Sequence, residues 1–281
     1  MTDQAYKLRK MAWEKNKKAK YITVSSGKGG VGKTNFAVNL ACVLGNFGKK
    51  ILVFDADMGL ANVDIIVNVK PEKTVYEYLK GTSSINEVII NSNFGFDVFP
   101  SASGFLELSK LSNEQFEKLL EIFVMLDENY DIVIFDTGAG ISENVIKFSN
   151  IADEIIIITQ PEPTAVTDAY ALMKVINNEY NINKFSIVIN RVKNKENAEQ
   201  IFNHLKKVTD KFLKINIILK GFLREDVNLI RSVRAQKPLF FLDKNSKYIR
   251  DIGCIARSIT GESFANRSRS GIFDFVRRFA K

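Results

Sequence analysis

Two cysteines, one histidine and one tryptophan are spread over 281 residues, and each scarcity removes a class of chemistry. Cys42 and Cys254 stand far apart with no CxxC pair, which excludes a disulfide framework and a cysteine-held metal or cluster. Both read as core thiols. His204 falls in a charged helical stretch, so it reads as a surface residue rather than a ligand. Trp13, between basic residues, suits either an anchor for a partner or membrane, or a ring folded onto the core. No apolar run reaches the roughly 18 residues of a membrane span. The amino end, MTDQAYKLRKMAWEKNKKAK, is too polar for a signal peptide, so a cytosolic protein is expected.

The net charge of +8 is unevenly placed. Residues 1–20 hold seven basic and two acidic side chains, and residues 261–281 hold five and two. The body between them is therefore neutral. A nucleic-acid binder would carry its excess across a folded face, so this distribution argues against specific nucleic-acid recognition and for docking tails. The expected organisation is a basic arm over 1–20, one domain over 21–260, and a linker with a terminal helix over 261–281.

Short apolar runs alternate with longer helical patterns, the mark of an α/β fold wound as strand, helix, strand. Strands are expected at 21–25, 50–54, 96–99, 131–135, 154–159, 185–189 and 215–219. The runs ILVFD, DIVIFD and DEIIIIT do not alternate, so they belong to a mostly parallel, doubly wound sheet covered on both faces. Helices are expected at 34–48, 114–129, 164–180, 196–211, near 224–235, and at 245–259. Ligands of such a sheet sit at the carboxyl ends of its strands.

Between the first expected strand and helix lies Gly27-Lys28-Gly29-Gly30-Val31-Gly32-Lys33-Thr34, a GxxxxGK[ST] loop in its required context. Such a P-loop wraps phosphate oxygens with backbone N–H groups. Lys33 reaches the β/γ-phosphates of ATP, and Thr34 offers a hydroxyl to Mg²⁺. A second carboxylate is required at the end of another strand to hold the metal through water. Asp136 closes the run 132–135 and meets that need, with Gly138 and Gly140 behind it. Asp55 and Asp57 end the run 51–54 at the same sheet edge, Asp55 being a further candidate for water-mediated metal contact. The alternative is that these acids are solvated turn residues, common after strands.

GKGGVGKT, with its extra lysine, resembles the deviant Walker A loop of the MinD/ParA-like ATPases. That resemblance implies a P-loop ATPase fold and an ATP-dependent homodimer in which Lys28 reaches the partner's nucleotide. The segment 55–64 is similar to the family's first switch, where Asp57 orients the attacking water, and 136–140 is similar to the second. Asn190 and Arg191 match the adenine-reading loop, with Asn190 bonding the base edge and Arg191 stacking near it. The segment 221–226 sits where a second adenine-side loop runs, although Arg224 replaces the common proline. Gly29, Gly30, Val31, Gly32, Lys33, Thr34 and Asn35 would line the nucleotide, Asn35 replacing a threonine of many relatives. The resemblance runs from about Lys20 to Ile259. An iron–sulfur carrier with the same P-loop would need paired interface cysteines, which Cys42 and Cys254 do not supply.

At the carboxyl end, Ile272, Phe275, Val276 and Phe279 share one helical stripe, with Phe273 beside it. It resembles the family's terminal membrane-targeting helix. One copy binds marginally, but two copies on an ATP dimer gain avidity, which implies reversible association with the inner face of the cell membrane. A helix packed back on its own domain is the competing reading. At the amino end, Asp3, Gln4, Ala5, Leu8 and Arg9 resemble the DQAxxLR segment of the flagellar FlhG branch of the family. That branch implies docking on an FlhF-type GTPase, stimulation of its GTP hydrolysis, and contact with flagellar basal-body components. A MinD- or ParA-type ATPase acting in division or partition is the other reading.

Overall fold

The computed structural model describes residues 19–57, 62–100 and 113–261. In chain order its elements are β1 (Lys20–Ser26), α1 (Lys33–Asn46), β2 (Ile51–Ala56), α2 (Val63–Val67), α3 (Val75–Lys80), α4 (Ile85–Val88), β3 (Ile90–Asn91), β4 (Asp97–Phe99), α5 (Asn113–Asn129), β5 (Ile132–Ala139), α6 (Glu143–Ile151), β6 (Glu154–Thr159), α7 (Pro163–Tyr180), β7 (Lys184–Val192), α8 (Lys195–Phe212), β8 (Asn216–Arg224), α9 (Asn228–Arg234), α10 (Leu239–Leu242) and α11 (Lys247–Thr260).

The described strands form one eight-stranded sheet in the order β3-β4-β2-β5-β1-β6-β7-β8. Every pairing is parallel except that of β3 with β4. The chain fills one side of β1 with β2 and β5 and then crosses to the other with β6, so β1 lies at the point where the winding reverses. A ligand crevice opens above the carboxyl end of such a strand. All seven residues of β1 and all six of β2 are buried, which explains why these runs are apolar without alternation.

Successive residues of the strands feed opposite cores. Ile22, Val24, Val53 and Ile134 pack with α1 and α11 on one face. Tyr21, Phe54 and Phe135 point to the other, against Leu119, Phe123 and Leu126 of α5. There Phe54 stacks on Phe99 with ring centroids 4.4 Å apart, and Tyr21 stacks on Phe135 at 5.7 Å. A third cluster joins β6 and β7 to α7 and α8 through Ile157, Ile187, Leu172 and Leu205.

At the starting edge of the sheet, the Glu154 carboxylate accepts from Lys20 Nζ at 2.8 Å and Ser186 Oγ at 2.7 Å, and Lys220 Nζ lies 3.0 Å away. Burial alone would raise its pKa, yet Lys20 and the other partners hold it below the usual range. A carboxylate so held ties four strands together and keeps its own buried charge compensated.

The seven expected strands all occur, with five extended at their carboxyl ends, because Ser26, Asp55–Ala56, Asp136–Ala139, Asn190–Val192 and Lys220–Arg224 continue the ladder. Arg224 is therefore the last residue of β8, not the start of a helix, and α9 begins at Asn228. The sequence reading lacked β3 and the short helices α2, α3, α4, α6 and α10. The strand is two residues long, and α6 is a short helix whose Ser142 N-cap accepts from Val145 N–H. The arm 1–18 and the tail 262–281 lie outside the described residues. Among the described residues, no helix is long and apolar enough to cross a membrane.

Gly45 of α1 touches the β3–β4 turn so closely that an added Cβ would stand 2.3 Å from the Gly95 carbonyl oxygen. A Cβ added at Gly253 of α11 would meet Arg257 NH1 at an ordinary 3.9 Å. Gly45→Ala is expected to destabilise by about 1–3 kcal/mol in urea unfolding. Gly253→Ala should be neutral or stabilise by up to about 1 kcal/mol.

Candidate active site

The loop between β1 and α1 is held from three sides. Gly27 packs against the backbone of α7, where a Cβ would lie 2.1 Å from the Asp168 carbonyl. Gly32, the N-cap of α1, has φ 95°, a left-handed conformation natural to glycine. Behind it, Asn190 Nδ2 donates to the Val31 carbonyl oxygen at 2.7 Å, and Asn190 Oδ1 accepts from Arg191 N–H at 2.8 Å. Asn190 is thus placed beneath the loop and already engaged with it. The first turn of α1 points its backbone N–H groups into the loop, a ready anion site.

Lys33 begins α1 and is buried, with 9% of its surface exposed. Burial lowers its pKa, and Asp136 and Asp57 oppose that fall. The sheet register explains how these acids meet, since Asp55 of β2 pairs with Asp136 of β5 on adjacent parallel strands. Both are 1% exposed. Burial first, and then the neighbouring Asp55, push Asp136 up to about 7, while a hydrogen bond from Thr34 and the charge of Lys33 pull it down. Burial likewise raises Asp55 to about 6 against the pull of three backbone N–H donors. Those donors are Asp57, Asn62 and Val63, so both Asp55 oxygens serve to shape the turn after β2.

Asp57 lies against Gly138, where an added Cβ would stand 3.2 Å from Asp57 Oδ1. The segment after Asp136 is stitched to β1: Thr137 Oγ1 donates to the Val24 carbonyl at 3.1 Å, and Gly140 N–H donates to the Ser26 carbonyl at 2.9 Å. The structure therefore brings Lys33, Thr34, Asp55, Asp57 and Asp136 to one sheet edge, from segments more than a hundred residues apart.

One atom of this cluster is unsatisfied. Asp136 Oδ1 is buried without a hydrogen-bond partner while Thr34 binds the same carboxyl group. A buried acceptor beside a hydroxyl fits a hydrated magnesium ion, an oxygen-seeking cation that keeps several of its waters. Thr34 and Asp136 would hold it, and it would neutralise phosphate charge. Asn35 Oδ1 is a second buried oxygen without a partner beside the loop.

Lys28 points away from this cluster. Its Nζ lies 2.7 Å from Glu162 Oε2 and 3.1 Å from Thr164 Oγ1, at the start of α7. Glu162 and Thr164 escaped the sequence reading because no local pattern marks a partner 134 residues away. Arg191 adopts φ 56° and donates to Gln160 Oε1 at 3.3 Å. Beyond it, Arg224 forms a two-pronged pair with Asp251 of α11, Nε to Oδ2 at 2.9 Å and NH2 to Oδ1 at 2.7 Å.

Both aspartates bind protons more tightly in the fold than in the unfolded chain. Stability of the ligand-free protein therefore falls as the pH rises from 3.8 through about 7 at Asp136. Asp136→Asn is expected to raise the melting temperature by several degrees at pH 8 in EDTA and to change it little at pH 4. The same variant should weaken Mg·ATP binding by at least about tenfold. Equal stabilisation at both pH values would assign the effect to packing rather than charge.

A family model described as an AAA domain (AAA_31) matches residues 19–189. The antiactivator FleN of Pseudomonas aeruginosa is 32% identical over 260 residues, covering 92% of this chain and 93% of its own. The flagellum site-determining protein YlxH of Helicobacter pylori is 32% identical over 294 residues, covering 100% and 99%. The solved structure of the septum site-determining protein MinD complexed with Mg-ADP, from Pyrococcus horikoshii, superposes with a TM-score of 0.67 at 23% identity, covering 86% of this chain and 96% of that one.

Proposed function

Because the chain belongs to the AAA_31 family and is a homologue of FleN and YlxH, we propose that it is an ATP-switched dimer that sets the number or placement of flagella. The enzyme itself is a MinD/ParA-type P-loop ATPase, hydrolysing ATP to ADP and phosphate. The observation that carries the flagellar reading is the end-to-end match to a flagellum site-determining protein, at 100% of this chain and 99% of the relative.

In this reading the P-loop backbone and Lys33 bind the phosphates of ATP. Asp57 orients the attacking water, and Asp136 and Thr34 hold the magnesium site. Lys28 leaves Glu162 and compensates charge on the partner subunit's nucleotide. That ion pair is exposed, 38% at Lys28 and 53% at Glu162, so water screens it and breaking it costs little. Asn190 and Arg191 border the base. The dimer presents two copies of the terminal stripe of Ile272, Phe275, Val276 and Phe279 to the membrane. The arm bearing Asp3, Gln4, Ala5, Leu8 and Arg9 docks on an FlhF-type GTPase and stimulates it, and basal-body components complete the set of partners.

Two experiments test this reading. Asp57→Ala is expected to bind ATP, to lose turnover by at least about a hundredfold, and to accumulate as a dimer in analytical ultracentrifugation. Lys28→Ala should bind ATP and stay monomeric. An Asp57→Ala protein that binds ATP and remains a monomer contradicts the dimer mechanism. A peptide of residues 1–20 is expected to stimulate the GTP hydrolysis of the same organism's FlhF-type GTPase, and a Gln4→Ala/Arg9→Ala peptide to do nothing. No stimulation by peptide or whole protein would shift the assignment to a division or partition cargo and leave the ATPase intact.

A further inference from the structure

The outer face of α9 carries apolar side chains that folding leaves uncovered. Its inner face is occupied in the ordinary way: Leu229 packs on the core, and the buried Ser232 donates to the Leu229 carbonyl at 2.8 Å. Outward stand Val227, 73% exposed, Ile230 at 62% and Val233 at 36%, each three residues from the next. Ile65 of α2, 54% exposed, extends this stripe, because Gln236 Nε2, just past the end of α9, donates to the Ile65 carbonyl at 3.2 Å. A run of exposed large apolar side chains with charged residues at its ends has the form of a contact surface.

The order of residues along the stripe selects the partner. Val227 lies three residues before Ile230 and Val233 three after it, while Asp226 lies four before and Arg234 four after. The segment is therefore symmetric in its apolar groups and opposite in charge about its centre. A two-fold axis through Ile230 sets two such segments antiparallel: Ile230 meets its own copy, Val227 meets the partner subunit's Val233, and Asp226 meets the partner subunit's Arg234, each pairing made twice. Both charges are available. Arg234 is exposed and has no ion pair among the described residues, and Asp226 uses Oδ1 to accept from Asn228 N–H at 2.8 Å, which leaves Oδ2 for another donor. A wholly acidic segment, or a basic one such as either tail, would suit one end of the stripe and be repelled by the other.

We propose that α9 is a homotypic contact through which two copies of this chain pair about Ile230. The stripe is already formed in the ligand-free chain, so the pairing needs no nucleotide, unlike the ATP-dependent dimer of the proposed function. Four side chains cover far less than the roughly 1,200 Å² of a stable interface, so the contact is weak alone and acts where copies are crowded together.

Cysteine cross-linking captures weak pairs and is run on the full chain without nucleotide, in a Cys254→Ser background because Cys42 is buried and Cys254 exposed. With diamide as the oxidant, Ile230→Cys is expected to give a disulfide-linked dimer that Cys254→Ser alone does not, since the bond needs Cα atoms within about 7 Å. Val227→Cys and Val233→Cys should cross-link well only when the two proteins are mixed. These sites are exposed, so the fold should tolerate the changes. In sedimentation at high protein concentration, Asp226→Arg and Arg234→Asp should each weaken self-association, by setting like charges together at both ends of the contact. An equimolar mixture of the two should restore it, because each copy then carries the charge that the other lacks. An Ile230→Cys protein that stays monomeric under oxidant, as it would if the chain's own tail or a different protein covered the stripe, overturns the proposal. So does a Val227→Cys protein that cross-links as well alone as in the mixture. Either outcome leaves the ATPase reading in place.

Discussion

Everything at the working edge of this protein is arranged around one buried ammonium group. Lys33 sits at the start of α1 with its charge largely out of water, and such a group persists only where negative charge is close. The parallel register of β2 and β5 supplies that charge by setting Asp55 and Asp136 abreast, and the turn after β2 adds Asp57. Three carboxyls for one lysine is an excess, and the fold manages it by raising two of them toward the neutral form. The ligand-free site is therefore strained electrostatically. A divalent cation arriving with the phosphates would bring the positive charge that this excess of carboxyls lacks, and relieve a penalty that folding left in place.

Much of the fold was legible because a doubly covered parallel sheet writes itself into the sequence as solid apolar runs. The P-loop was equally plain, since its glycines, lysine and threonine are contiguous and lie between strand and helix. What escaped is what depends on contacts between distant segments. Nothing near Glu162 or Thr164 marks them as partners of Lys28, and the engagement of Asn190 with Val31 joins residues 159 apart. The polar ends of β5, β7 and β8 were cut short because residues such as Thr137, Asn190 and Gly221 do not look like strand interior. They pair anyway, because the ladder needs only their backbones. Arg224 shows the opposite limit. As a departure from the resemblance it was visible, but only α11 folding back over β8 gives it a partner.

The two tails carry most of the excess charge and, in the proposed function, most of the partner choice. The body between them is neutral and conserves its chemistry for the nucleotide. In the proposed function this division lets one switch serve different cargoes, because the residues assigned to the nucleotide all belong to the neutral body.

The catch between Lys28 and Glu162 is weak, solvent-exposed and internal to one chain. A device restrained so lightly is not gated by that catch. In the proposed dimer its state follows abundance instead: pairs form in proportion to the square of the free subunit concentration, so doubling the copy number quadruples the pairs while they are scarce. A cell that must build a set number of large organelles needs a way to register how much regulator it holds. In the proposed dimer, so feeble a restraint on Lys28 turns a nucleotide enzyme into a molecular census.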